Sequence, residues 1–413
     1  MSSPARAARL HRAAWTALAL FLSWSAWRGA ATALRAGAAS DFRIYWDAGR
    51  AAIEGRDPCA VAGFIYLPAF AVLVIPFAAL PFAAAVVAWQ ATSLAATLFA
   101  AAKCARIAVC DGLAGPPWLA WASLLCVARL ADSNLGNGQV NAIVFALLLL
   151  GIGAWIEGRG GRAGAWIGLA AAIKVVPICV GLAFLARRSG KAVLATAAAA
   201  AGFALVLPAV FFGPSRSLEG LATWWREQAH PYAAGGETLL ASREYLPGQS
   251  LTAVAYRLLC ATPATSQPEG GPAANFADLP PAEVAWIVRG LEALYLFLLL
   301  ASLARSIRAG APGARSLEVS LVVAVALTLA PLVHKAHLLW MMLPYAVLLA
   351  RPARPARTAL LALSVALTGL TAPSLLGPLV ATWATAHNLI FLGVQLALAA
   401  LLLEAWTPSA RAT

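Results

Sequence analysis

The sequence predicts an all-α membrane protein, one polytopic helical bundle of about 10–12 passes, and three observations predict it. Apolar residues make up 62% of the 413, charged residues only 11%, and the mean hydropathy is +0.78. A soluble domain carries about 25% charged residues. Apolar runs near the length that a bilayer core demands recur from residue 13 to residue 404. Short basic clusters separate them: Arg6, Arg9 and Arg12, then Arg159 and Arg162, Arg187, Arg188 and Lys191, Arg305, Arg308 and Arg315, and Arg351, Arg354 and Arg357. Such clusters mark cytoplasmic loops. They also account for the net charge of +13 without a nucleic-acid surface, because no long basic face forms.

The apolar runs place spans near 13–34, 66–82, 83–102, 116–132, 140–156, 191–212, 281–304, 317–333, 336–350, 358–377 and 384–404. Residues 1–405 form one domain with two external loops, 35–65 and 213–280, and 406–413 is a cytoplasmic tail. The arginine-rich start puts the N-terminus inside, and a retained first span fits its length better than a signal peptide. The stretch 164–186 is apolar but interrupted by Lys174 and Pro177. Both flanks, RGGRAG and RRSGK, are basic, so this segment enters and returns. A broken segment of that kind is tolerated where it lines a polar cavity. A parity conflict remains between residues 66 and 139: two spans from 66 to 102 would put Lys103 and Arg106 outside.

In the long loop, LEGLATWWREQA and GQSLTAVAYRLL have helical spacing and read as helices on the membrane surface. The centre, PATSQPEGGPAANFADLPP, reads as irregular. Six cysteines show no metal spacing. Cys59 and Cys260 both fall in external loops, where a disulfide is compatible with the compartment.

Five polar elements interrupt the apolar background, where ionisable groups are costly unless they face a cavity. DFRIYWDAGRAAIEGRDP, 41–58, holds seven charged residues. Ser40 can cap a short helix running to about Glu54, stopped by Gly55 and Pro58. Asp41 and Tyr45 then share a face, and the bland alternative is a solvated amphipathic helix with paired charges. SNLGNGQVN, 133–141, offers Asn137, Gln139 and Asn141, whose amides both donate and accept. A polar turn between two helices would need the same residues. Lys174 lies ten residues into an apolar run, too deep for easy snorkelling. LAPLVHKAHLLW, 329–340, groups His334, Lys335 and His337. A zinc pair prefers i, i+4 spacing, so this cluster suits a phosphate better than a metal. GQSLTAVAYR, 248–257, adds Gln249, Ser250 and Arg257 on the external side, or else is a loop helix held by ordinary contacts.

The ordered set resembles glycosyltransferase family 87, bacterial membrane proteins of GT-C architecture that use polyprenol-phosphate-mannose. The resemblance runs over about residues 40 to 345. It consists of an aspartate in the first external loop, GRDP, YLP at 66–68 opening a segment with Pro76, GNGQVN, GLAAAIKVVP, GQSL and an APxxH stretch. It implies transfer of a hexose, with mannose the expected one, from a polyprenyl-phosphate donor to a glycolipid or glycan acceptor. The site would face the outside of the cytoplasmic membrane. Asp41 matches the family's base, His334 its donor-phosphate contact, Lys174 its Lys-x-x-Pro lysine, and Asn137, Gln139 and Asn141 its amide turn. Cys59 departs from the aromatic residue that often follows the DP pair, and Pro247–Gly248 departs from a frequent Asn. Both departures bear on substrate more than on reaction type.

A lipid phosphate is already a leaving group, so no nucleotide domain or cofactor is called for, while a metal requirement stays open. One carboxylate deprotonating the acceptor implies inversion at the anomeric carbon. Retention would need a second carboxylate close by, and Asp47, at i+6, points away from Asp41. The competing readings are a lipid or small-solute transporter or flippase, which needs no Asp41 chemistry, and a structural assembly factor, which leaves the polar elements unexplained.

Overall fold

The structure, a computed structural model, describes residues 4–35, 40–110, 113, 115–233, 248–261 and 274–407. Every regular element among them is helical. The N-terminal half runs α1 (Pro4–Ala33), α2 (Asp41–Ile53), α3 (Pro68–Ala78), α4 (Phe82–Ala108), α5 (Leu119–Cys126), α6 (Ala128–Gly136), α7 (Asn141–Ile156), α8 (Gly160–Ile173) and α9 (Gly181–Ala186). The middle holds α10 (Gly190–Ala201), α11 (Leu207–Phe212), α12 (Pro214–Trp224), α13 (His230–Ala233) and α14 (Leu251–Leu259). The rest is α15 (Pro281–Ala309), α16 (Ala314–Leu329), α17 (Met342–Ala350), α18 (Pro355–Gly369), α19 (Pro373–Ala386) and α20 (Leu389–Trp406). One large apolar core runs through the bundle, from Leu18 on α1 to Leu401 on α20. The middle of the long loop, 262–273, and the end of the tail, 408–413, lie outside the described residues.

Among the described residues, four helices are long and apolar enough to cross a bilayer unaided: Phe82–Ala108, Gly190–Phe212, Pro281–Ala309 and Leu389–Trp406. A fifth is added if α18 and α19, bent by 90°, count as one broken span. The first run lies in the 30-residue α1, and several others fold as shorter helices, such as Pro68–Ala78 and Asn141–Ile156, so the eleven runs of the sequence are not eleven full-length spans. Proline, glycine and polar turns divide them.

The shortness of α3 resolves the parity conflict. Its 11 residues rise only about 16 Å, against a hydrocarbon core of about 30 Å. α4 therefore carries the chain across alone. Its Lys103 ends 3.9 Å from Glu157, beside the Arg159 that follows α7. Residues 103–106 and 157–162 thus share one end of the bundle.

The broken segment behaves as expected. α8 leaves that end and stops at Lys174, whose backbone turns extended (φ −135°, ψ 131°). A 3₁₀ turn through Pro177 and α9 then lead back. Both flanks return to the same place, since Trp155 Nε1 donates to Ser189 Oγ at 2.9 Å. Lys174 is the apex, at the opposite end.

At that apex end lie α2, the turn 137–141, α12 and the loop 331–337. α2 is amphipathic as predicted. Phe42, Tyr45, Ala48 and Ala52 are buried, while Arg43–Asp47 (3.0 Å) and Arg50–Glu54 (2.9 Å) pair along the exposed face. Gly55 ends it at φ +68°. Ser40 is the N-cap but makes no side-chain cap bond. The Asp41 N–H instead donates to Asn137 O at 3.1 Å, so the helix start is tied to the amide turn. α14 departs from expectation: Leu251 to Arg257 are all buried. It is an inner helix packed on α15 rather than one lying on a membrane surface. No disulfide joins Cys59 and Cys260. Cys59 Sγ faces Gly220 O at 3.7 Å, while Cys260 packs with Tyr256 and Val284.

Candidate active site

The amide turn is the floor of the site, and its backbone is held from three sides. Trp89 Nε1 donates to Gly138 O (2.8 Å), Gln90 Nε2 to Leu135 O (2.9 Å) and Trp340 Nε1 to Asn141 O (3.0 Å). All three donors are buried, where an unpaired carbonyl is costly. Gly138 sits at φ +66°, and a Cβ there would come within 3.0 Å of Phe42 Cβ and 3.3 Å of Ser40 Oγ. Only glycine lets the turn close against the start of α2.

Above this floor is a cavity of about 430 Å³. Asp41, Gln139, Lys174, His334 and His337 all line it, and Asp41 is the one carboxylate among its lining residues. Five residues that lie far apart in sequence are thus brought to one wall by four elements: the first turn of α2, the amide turn, the break after α8, and the loop after α16.

Their polar atoms form a continuous chain. Gln139 donates to the Asp41 carboxylate. Asn141 Nδ2 donates to Gln139 Oε1 at 2.5 Å, and Lys174 Nζ donates to Asn141 Oδ1 at 2.6 Å. His337 Nε2 lies 2.5 Å from Lys174 Nζ, and His337 Nδ1 accepts the His334 N–H at 3.2 Å. Both ring nitrogens of His337 are therefore engaged. A metal would have to displace one of these bonds, and His337 acts better as the support of Lys174 and His334. The Lys174 ammonium also lies 5.8 Å above the Tyr66 ring, a cation–π contact that steadies a charge without cancelling it.

Asp41 lies on α2, outside the spanning segments. Burial raises its carboxyl above the usual carboxylate range, opposed by the Gln139 hydrogen bond and the Lys174 charge. A carboxylate made more basic by burial, beside an amide donor and a lysine, suits proton abstraction from a hydroxyl.

Four predicted residues have other places. Asn141 lies beneath the wall and acts through its bonds to Gln139 and Lys174. Asn137 is exposed and contributes its backbone carbonyl to Asp41 N. Lys335 is not among the cavity-lining residues. It opens the 3₁₀ turn Lys335–Met341, one residue after His334, and feels the charge of Arg129. Arg257 is fully buried away from the cavity, donating to Gly248 O at 2.8 Å and to Asn388 Oδ1. Its neighbours Gln249 and Ser250 reach the site loop instead: Gln249 N donates to Val333 O at 2.5 Å and Ser250 Oγ to Pro331 O at 2.9 Å. The GQS element is thus a buttress for the loop that carries His334.

The sequence reading missed much of the aromatic wall. Tyr45 and Tyr66 join their hydroxyls at 2.8 Å, and Trp224, Gln228 and Trp340 complete the lining. Gln228 comes from a π turn, Trp225–Ala229, that interrupts the helix after α12. Such turns re-aim side chains and recur at functional sites. No sequence signal marks a π turn, though the aromatic pair of LATWW was visible.

Residues 64–334 match the profile of glycosyltransferase family 87. The chain belongs to glycosyltransferase family 87. It is accordingly a membrane glycosyltransferase, and the resemblance read from the ordered motifs is met by the match. A search of curated proteins found none similar to it. The match covers Lys174 and ends at His334, and Asp41 lies before it. Asp41 therefore joins the candidate site by geometry alone, lining the same cavity as residues the family profile does cover.

Proposed function

We propose that this family 87 glycosyltransferase moves a hexose, mannose in the first instance, from a polyprenyl-phosphate donor to an acceptor hydroxyl, with Asp41 as general base. The observation that carries the reading is the cavity wall itself: one carboxylate in line with a Lys174–His337–His334 cation and imidazole group. Asp41 accepts the proton of the acceptor hydroxyl as its oxygen attacks the anomeric carbon. The bond from that carbon to the donor phosphate oxygen breaks, and the phosphate leaves with both electrons. Lys174 and His334 steady the departing phosphate, the role for which preorganised donors are most effective. With a single carboxylate in the wall, direct displacement inverts the anomeric centre.

A lipid-linked donor is supported by a second feature. The cavity shares Val176 and Ala330 with an apolar hollow of about 250 Å³ lined by Leu182, Leu296, Leu299 and Val322. A sugar phosphate held at the polar wall can leave its hydrocarbon chain there. Lys174 and the basic loops at opposite ends of the bundle support a site on the outer face of the cytoplasmic membrane.

The test uses purified protein in lipid vesicles with polyprenyl-phosphate mannose labelled in the sugar and a glycolipid extract of the source membranes. Transfer of label into a new product supports the reading. Label that crosses the bilayer still attached to its lipid, with no new product, replaces it with the flippase reading.

A further inference from the structure

A second cavity, of about 530 Å³, lies beside the first. Neighbouring residues divide them on each side. Leu67 lines the first cavity and Pro68 the second, and Trp224 lines the first and Thr223 the second. The partition is fixed by Trp224 Nε1, which donates to Ile65 O at 3.1 Å. One wall of the second cavity is the face of α12 bearing Arg216, Glu219 and Thr223, continued by Arg226 on the π turn. The other is the turn that follows α2, with Arg56 and Asp57. Arg216 NH1 donates to Gly55 O at 3.1 Å and holds the two walls together. The floor is Pro58, Pro68 and Phe212.

The charges of this cavity are mixed. Three guanidinium groups face two carboxylates, and Arg56 is already paired with Glu54 at 2.6 Å. What is left is two arginines against Asp57 and Glu219. A site for a phosphate or carboxylate gathers donors and keeps acids away. A hydroxyl donates and accepts at once, so a polyhydroxylated ligand asks for guanidinium donors and carboxylate acceptors side by side. The volume falls within the range of ordinary ligand sites, about 300–1,000 Å³. The second cavity stands at the far end of α2 from Asp41, a helix of 13 residues and so about 20 Å long. That is the reach of a short oligosaccharide, not of one sugar.

We propose that the second cavity binds the glycan of the acceptor, and that the acceptor is an uncharged oligosaccharide of several units rather than a lipid bearing a single sugar. The inference rests on the reading of the first cavity as the transfer site. The units next to the reacting hydroxyl pass Trp224, and those further along lie between Arg226, Glu219 and Asp57.

The test measures transfer to oligosaccharides released from the source membranes and sorted by length, using wild type and the Glu219→Gln/Arg226→Ala double variant. Among the described residues these two side chains bridge to no other segment, unlike Arg216. Wild type should show at least a tenfold lower KM for the longer fractions than for single sugars. The double variant should lose that preference, with its donor KM, its slow donor hydrolysis and its melting temperature unchanged. A KM independent of length, an unaltered preference in the variant, or competition by inorganic phosphate would each overturn the proposal. If wild type neither transfers nor hydrolyses any polyprenyl-phosphate sugar, the reading of the first cavity fails instead. Glycan binding, followed by the fluorescence of Trp224 and Trp225, then decides the second cavity alone: tighter binding by wild type than by the variant supports it, and equal binding rejects it.

Discussion

At one end of the bundle buried cations meet carboxylates, and at the other they meet amides and imidazoles. At the basic end, Glu318 is fully buried and receives Arg187 through two bonds (2.9 and 2.7 Å) and Ser306 through a third (2.8 Å). Glu404 receives Arg351 at 3.2 Å and Arg357 at 2.5 Å. These charges are neutralised in place and have little left for a ligand. At the site end, Lys174 bonds to Asn141 and lies against His337, with no carboxylate within ion-pair distance among the described residues. Asp41 is held by an amide, not a cation. A protein that only needed stability would have closed these two onto each other. Linked through Gln139 and Asn141 along one wall instead, the carboxylate and the lysine both face the cavity. The same residue types thus serve structure at one end and chemistry at the other, and the partner atoms tell which.

The sharpest way to break this comparison is Asp41→Asn. The change keeps the shape and the hydrogen bond to the turn but removes the base. Transfer should fall by about 10²–10⁴-fold, the usual worth of a general base, with an unchanged melting temperature. Full activity in a well-inserted variant would remove Asp41 from the mechanism. Next, Lys174→Met should lower kcat by about 10²–10³-fold, the scale of losing one transition-state donor, with little change in the acceptor KM. At the other end the signs reverse. Glu318→Ala strands Arg187 and Ser306, and should cost about 3–5 kcal/mol of stability in thermal unfolding. The activity of each folded molecule should stay as in wild type.

A subtler change sharpens the site itself. Burial raises the Asp41 carboxyl and the Gln139 bond lowers it. A base works when ionised, so activity should be lost as pH falls through this raised value, higher than for an ordinary carboxylate. Gln139→Leu removes one lowering influence, so the acid limb of the rate profile should move to higher pH. A limb that stays put, or moves down, would show that the titrating group is another. The smallest effect is expected for Lys335→Ala. Lys335 does not line the cavity, and transfer should change little.

Much of this was legible in the sequence, for reasons that are local. α2 announced itself by its apolar stripe, its i, i+4 pairs and its Gly55 stop, and Asp41 by its place at the start. Lys174 was conspicuous because a cation in an apolar run beside a proline has few structural excuses. What the sequence concealed depends on direction and distance. Lys335 lies between two histidines, yet it is not among the residues lining the cavity that both of them face. Arg257 read as an external residue of a loop helix, but the whole helix is inside, so the arginine clamps the fold while Ser250 props the His334 loop. Tyr66, Trp224 and Gln228 reach the cavity only because of how α3 begins and where a π turn falls. The pass count depended on breaks that apolar composition does not mark, as the 11 residues of α3 illustrate.

The claim at the centre of the account is that one carboxylate, Asp41, drives a direct displacement from a lipid phosphate. The configuration at the anomeric carbon of the transferred sugar, read by NMR of the product against that of the donor, tests it most directly. The account predicts the opposite configuration. Retention would demand a covalent intermediate on a second nucleophile, and so would contradict a site built around a single aspartate.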